Sequence, residues 1–405
     1  MIEHSQLFSD FHPITKETWI EKIQQDLKGK PFEKLFWHPE KDIALAPFYM
    51  QSDLKTIPHI TDALSQKALN SSGNWYTAEW FNLEDKTIFT KIKTAINNDV
   101  SSVIISVTKE GLKKIEALVN ILITENKKIR KISFRGENTI LQHCITNTSL
   151  LNFISNNPDI EISFGFNFLS EQTISGKQSQ DISIIASLKD KFESFENIRY
   201  LLVNGNYFHD AGSSIVQELA YSLAIGNTYQ SFFDKKNSIV NRIEFLFATG
   251  NNYFFEIAKL RAFRILWAKL LQLHNKTFDN VGKIFLSSQT TLLNKTIYAP
   301  HVNMLRNTTE AMAAIIGGTN ELTIFPFNFL FIEDDDFGKR IARNIQHLLR
   351  YETHLNKVYD IAAGSYYIEN LTHQLAENSW KLFSDIENNG GYEKMVESGK
   401  IKYFI

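Results

Sequence analysis

Few places in this 405-residue chain bring together side chains that could do chemistry, and the first is Asn206-Tyr207-Phe208-His209-Asp210. An imidazole beside a carboxylate is the pairing that general acid–base work needs. The plainer reading is preferred: Asp210 caps a helix starting near Ala211, and His209 is a loop residue. The polar run Ser287, Ser288, Gln289, Thr290 and Thr291 could line the mouth of a pocket, a weak signal by itself. Glu333-Asp334-Asp335-Asp336 could hold a divalent cation, but acids that open a helix and suit its dipole explain the run better. His347 and His354 lie seven apart on a long helical segment. Metal pairs on a helix sit at i, i+4, so a packing or surface role is expected for both, and no metal site is.

Cys144 is the single cysteine, which excludes an internal disulfide and any multi-cysteine metal site. Within TILQHCITN it reads as a buried, inert thiol. There is no P-loop, no G-x-G-x-x-G and no G-x-S-x-G.

The elements that must position these residues recur along the chain. Runs rich in β-branched and aromatic residues appear at 74–81, 101–107, 129–135, 161–168, 200–208, 243–250, 282–289 and 322–328. Helical periodicity fills the gaps: Leu112, Ile115, Val119 and Leu122 share a face after the second run, and YFFEIAKLRAFRILWAKLLQL follows the sixth. Eight strands, each followed by a helix, predict an α/β chain folded as a (β/α)8 TIM barrel over residues 71–405. In EISFGFNF, Ile162, Phe164, Phe166 and Phe168 alternate with Ser163, Gly165 and Asn167. If the Phe set faces the helices, small residues line the barrel axis and could admit a ligand; if it faces inward, the axis is closed.

Residues 1–70 fall outside the repeat. Trp19, Ile23 and Leu27 mark one amphipathic helix with Gly29 as its stop, followed by a stretch punctuated by Pro31, Pro39 and Pro47 and rich in aromatics. Such an arm must bury its rings against its own barrel or a partner, and partner contact is expected. The composition, 43% hydrophobic with 31 Phe and a net charge of −2, is that of a soluble protein with an aromatic core. It gives no field to gather nucleic acid or anionic lipid. The N-terminus has no apolar core of a signal peptide, and no window reaches the ~20 apolar residues of a membrane span, so a cytoplasmic location is expected.

Three ordered stretches carry a resemblance to a known family. RNTTEAMAAIIGGTNELTIFPFN is followed by RIARNIQ, DIAAGSYYIENLT and IENNGG, together spanning 306–391. DAGSSIVQELAYSLAIGNTY joins FATGNNYFFEIAKLRAFRILWAKL, and WIEKIQQDLKGKPFEKLFWHPEKDIALAPFY stands near the start. Together these resemble the barrel of methylmalonyl-CoA mutase, and the last resembles the start of the family's small, non-catalytic subunit. Catalytic chains of that family carry Tyr-His where this chain has Asn206 and Tyr207. They carry an Arg, and a His two residues later, where this chain has Phe285 and Ser287. The Arg-Gly-Tyr-Pro segment of catalytic chains has no match around 55–80, nor has the cobalt-ligating D-x-H-x-x-G of their C-terminal cobalamin domain.

The resemblance therefore implies the small subunit of an adenosylcobalamin-dependent isomerase that interconverts succinyl-CoA and (R)-methylmalonyl-CoA. It implies a large catalytic subunit as partner, cofactor held elsewhere than in this chain, and no catalytic residue here. Asn206, Tyr207, His209, Ser287 and Gln289 remain as weak candidates for substrate contact. A substrate-binding barrel of a related acyl-CoA mutase is the alternative, and an unrelated hydrolase using His209 and Asp210 is a remote one.

Overall fold

A computed structural model describes residues 14–70, 73–125, 128–175, 183–233, 239–274, 283–332 and 335–401. Eight parallel strands close into a barrel in sequence order. They are β1 (Tyr76–Asn82), β2 (Ser102–Ser106), β3 (Lys131–Arg135), β4 (Glu161–Phe166), β5 (Ile198–Asn204), β6 (Ile243–Thr249), β7 (Leu286–Thr290) and β8 (Glu321–Thr323). All eight runs of the repeat contain a strand, and the fold is the expected TIM barrel.

Each strand is shorter than the run that announced it, and at two of them the cause is local. β8 stops after three residues because Phe325 N turns to the Thr290 hydroxyl, at 3.0 Å, and Pro326 has no N–H to offer a ladder. β5 stops at Asn204, and Asn206–Asp210, expected as a strand end and loop, is one short helix. The next helix, Ile215–Ser231, is capped not by Asp210 but by Ser214, whose hydroxyl accepts from Gln217 N while Gln217 Oε1 accepts from Ser214 N. Only a residue at the junction itself can reach those N–H groups, and Asp210 lies four residues too early.

The Phe set of β4 faces the helices. Phe164 stacks between Phe134 of β3, at 5.3 Å, and Phe192 of the helix Ser183–Phe192, at 5.7 Å. Two strands further round the barrel, Phe263 and Trp267 of the helix Tyr253–Leu273 pack edge-on against Phe245 of β6 at 4.7 and 4.8 Å. These rings thus cement strands to their outer helices, each buried ring contributing about 1.5–3 kcal/mol.

The segment before β1 runs over this barrel. The helix Ala63–Leu69 meets the long Tyr253–Leu273 helix through Ala68 and Ala268. His59, buried, bonds through Nε2 to Glu369 Oε2 at 2.7 Å. Glu369 and Asp360 both receive the guanidinium of buried Arg261, so one cation ties the Tyr253–Leu273 helix to the turn and helix that follow the barrel. Burial alone would raise the Glu369 carboxyl, but the bonds from His59 and Arg261 hold it down to about 2. By contrast, the first helix, Lys16–Asp26, has no buried residue, and Trp19 is 48% exposed.

Candidate functional site at the barrel mouth

Small residues do line part of the barrel axis, as Phe facing outward requires, but the axis is not open. Lys131 of β3 points into the lumen and uses all three ammonium donors there: Glu321 Oε2 at 2.7 Å, Glu244 Oε2 at 3.1 Å and Ser133 Oγ at 2.9 Å. Arg135, four residues on along β3 and so on the same face, is paired with Glu244 Oε1 and donates to Ser163 Oγ at 3.2 Å. Ser163 and Ser102 donate to Glu244 and Glu321 in turn. Ser287 Oγ lies 2.6 Å from one glutamate and 2.9 Å from the other, and its one hydrogen serves either. Two cations and two carboxylates balance, and Lys131, Glu244 and Glu321 are at most 1% exposed. Burial disfavours the Glu244 carboxylate, yet Arg135, Lys131 and the two serine hydroxyls hold its pKa well below the usual range.

Beneath this cluster sits Phe285, which is buried. Lys131 Nζ lies 4.6 Å from its ring centroid and the Arg199 guanidinium 4.2 Å. Tyr76 stacks against the same ring at 6.3 Å. Phe285 lies between the charge cluster and a pocket of about 810 Å³ at the N-terminal ends of the strands, whose lining includes Tyr76, Glu161 and Arg199.

Above the cluster, at the C-terminal ends of the strands, is a cavity of about 340 Å³. Trp80, Ile104, Leu246 and Phe329 form its apolar side; Arg135, Glu171 and Tyr207 lie on the polar side. Four of the five sequence candidates line it: Asn206, Tyr207, Ser287 and Gln289. The Tyr207 hydroxyl is held by Asn204 and Asn167, and burial raises its pKa. It is therefore a fixed neutral phenol at the mouth. Burial, with Glu137 nearby, pushes the Glu171 carboxyl up to about 7, and Asn138 Nδ2 donates to it at 2.9 Å.

His209, the fifth candidate, does not face this cavity. Its Nε2 is 2.9 Å from Thr291 Oγ1, and burial beside the Lys259 charge lowers its pKa to about 4. Asp210 does line the cavity. Consecutive residues on a helix point about 100° apart, so the two make no acid–base pair and the hydrolase reading loses its residues.

The other singled-out residues have structural places. Asp335 caps the helix Asp336–His347, accepting from Gly338 N at 2.8 Å, as the dipole reading of the acidic run expects; Glu333 and Asp334 lie outside the described residues. His347 ends that helix, facing Asn98 O at 3.2 Å, while His354 lies beyond it in a left-handed turn, φ +56°. The two therefore do not lie on one continuous helix, because the chain passes through a π-type turn at Leu348–Glu352. Cys144 is buried, and burial pushes its thiol up to about 12.

Sequence reading missed the residues that shape this site most: Lys131, Arg135, Glu244, Glu321 and Glu171. A signal existed for the first four, each a charge at an inward position of an otherwise apolar strand run.

A family model described as methylmalonyl-CoA mutase matches residues 168–405, more than half of the chain. The chain belongs to that family. It is similar to the methylmalonyl-CoA mutase small subunit of Porphyromonas gingivalis, 34% identical over 99% of this chain and 67% of the relative. It is also similar to the small subunit of Propionibacterium freudenreichii, 26% identical over 96% of this chain and 64% of the relative. The large subunit of P. gingivalis matches at 35% identity, over 50% of this chain and 29% of the relative. The chain thus spans about two thirds of the small subunits named here.

Proposed function

We propose that this chain is the barrel of a mutase small subunit that does not itself catalyse and that stabilises a large catalytic subunit. The holoenzyme would interconvert succinyl-CoA and (R)-methylmalonyl-CoA. The observation that carries this reading is the filled lumen. A thioester arm laid along the axis would have to displace Lys131, Glu244, Glu321 and Arg135, breaking buried ion pairs at about 3–5 kcal/mol for each partner lost. The resemblance puts an imidazole at the position of Tyr207, whose phenol cannot exchange a proton near neutrality. The similarity to the P. gingivalis small subunit along nearly the whole chain, against half for the large subunit, supports the same assignment.

For a partner, the chain offers apolar surface that its own fold leaves uncovered. Tyr298 and Leu305 after β7 are 94% and 69% exposed, and Phe331 after β8 is 47% exposed. With the unburied first helix, these are surfaces a large subunit would cover.

The resemblance places the cobalt-ligating histidine of an adenosylcobalamin site in the family's C-terminal domain, and this mouth supplies none itself. Cobalt takes an imidazole ligand, and among the described residues lining the cavity there is no histidine. No step in this reading runs through the cofactor.

The test is an adenosylcobalamin-dependent isomerase assay of this chain alone, of its large subunit alone, and of the two together. Activity and stability that require both chains support the proposal; turnover by this chain alone overturns it. One observation favours a second reading, a substrate-binding barrel of a related acyl-CoA mutase: the cavity above the cluster holds Arg135 and an acid poised near neutrality. Saturable binding of a coenzyme A thioester to the isolated chain would favour it.

A further inference from the structure

Two kinds of hydrogen bond tie the segment around 37–50 to the barrel among the described residues. The first is made by amides, which do not titrate. Ala44 exchanges two bonds with the side chain of Gln374, at 3.1 and 3.0 Å, and Asn378 Nδ2 donates to Asp42 O at 2.8 Å.

The second is a carboxyl. Glu40 reaches from the arm to the start of the Ile215–Ser231 helix, where its Oε1 accepts from Ile215 N at 2.9 Å. Behind that contact lie Glu218 on the same helix and Glu256 and Lys259 on the Tyr253–Leu273 helix, all at most 4% exposed. Lys259 Nζ donates to Glu218 Oε2 at 3.2 Å and to Ala248 O at 2.7 Å, and is ion-paired with Glu256 Oε2 at 2.7 Å. The second carboxyl oxygens of Glu40 and Glu218 are buried and take no hydrogen bond.

Two more elements face the group. Glu310, on the helix Val302–Ile316, is neutralised by Lys295 at 2.7 Å to each oxygen. His209 stays neutral above about 4. Three carboxyls therefore share one ammonium, and two of them have an oxygen with nothing to bind unless a proton supplies the donor.

We propose that the arm is a proton-gated latch: seating Glu40 against Glu218, Glu256 and Lys259 takes up a proton, and losing that proton releases the segment around 37–50. The direction follows from linkage. Burial raises the Glu40 carboxyl and pushes Glu218 up to about 7, so the docked state holds protons that the undocked state gives away. Docking is tightest below the ordinary carboxylate range and weakens as pH rises through about 7. Release would uncover Phe255 and Tyr367, on which Trp37 and Tyr49 of the arm now rest at 5.7 and 5.9 Å.

Hydrogen exchange of the whole chain between about pH 5.5 and 8, corrected for intrinsic exchange, tests this without reference to any activity. The amides of Trp37, Ala44 and Leu45 should lose about tenfold or more in protection toward the higher pH, one decade per unit of pKa difference, while the barrel strands hold theirs. Glu40→Gln keeps the acceptor and removes the titration, so it should flatten that slope, as should Glu218→Gln. Gln374→Ala should loosen the same amides equally at every pH and leave the slope intact. Protection independent of pH in the unaltered chain, or a slope that survives both glutamine variants, overturns the latch.

Discussion

Lys131 Nζ and Glu321 Oε2 meet 2.7 Å apart inside the barrel, although β3 and β8 share no ladder. The contact exists only when the sheet is closed. Replacing Lys131 with Met leaves Glu321 and Glu244 buried with one guanidinium between them, and should cost about 3–5 kcal/mol. Adding Glu321→Leu leaves the Arg135–Glu244 pair intact, and the double variant should be more stable than Lys131→Met alone. Urea unfolding midpoints at constant slope would show this order; a double variant no better than the single would refute it.

Gly165 lies where the β4–β5 register shifts, between Ser163 and Phe166. A Cβ there would stand 2.8 Å from Arg135 Nη1 and 2.9 Å from its Cδ. Gly165→Ala should push Arg135 off Glu244 and destabilise the chain by about 1–3 kcal/mol, the usual cost of overpacking. Chemical denaturation of the variant checks it, and an unchanged midpoint would mean that Arg135 moves freely.

Glu171 should titrate near pH 7, well above the ordinary value of 4.5. Because the folded chain holds this proton more tightly than the unfolded one, its stabilising contribution is present below about pH 4.5 and is lost as pH rises through about 7. Carbon NMR of labelled glutamate would show one carboxyl with a midpoint near 7 that disappears in Glu171→Gln. A set of glutamates that all titrate in the ordinary range would contradict the burial described at the mouth.

Tyr207→His restores an imidazole at the mouth but leaves Phe285 and the charge cluster beneath it. The variant should fold and still show no adenosylcobalamin-dependent turnover of methylmalonyl-CoA on its own. Turnover by this single variant would show that the filled axis is no obstacle.

The barrel was legible because each strand carries its own local signature, β-branched and aromatic residues between turn residues, repeated eight times. Strand ends were less so: Gly205 and Pro326 end β5 and β8 through backbone choices that composition hides. The mouth was half legible. Asn206, Tyr207, Ser287 and Gln289 follow from their places at strand ends, but His209 does not reach the cavity, because which face of a five-residue helix a side chain takes depends on packing. The lumen was illegible as a unit. Lys131, Glu244 and Glu321 are 113 and 190 residues apart through Lys131, and only closure makes them neighbours. Their individual oddity, a charge facing inward on a buried strand, was visible; their mutual neutralisation was not.

The charge cluster also acts on assembly. In a strand, successive side chains alternate faces, so sliding β3 by a single residue would turn Lys131 out among the phenylalanines and leave Glu244 and Glu321 facing each other inside. Apolar interiors tolerate such slips at the loss of some packing, whereas here each misaligned closure strands an ion in a medium that cannot solvate it. The four charges thus work as a checksum on strand alignment, satisfied when β3, β6 and β8 are all in register.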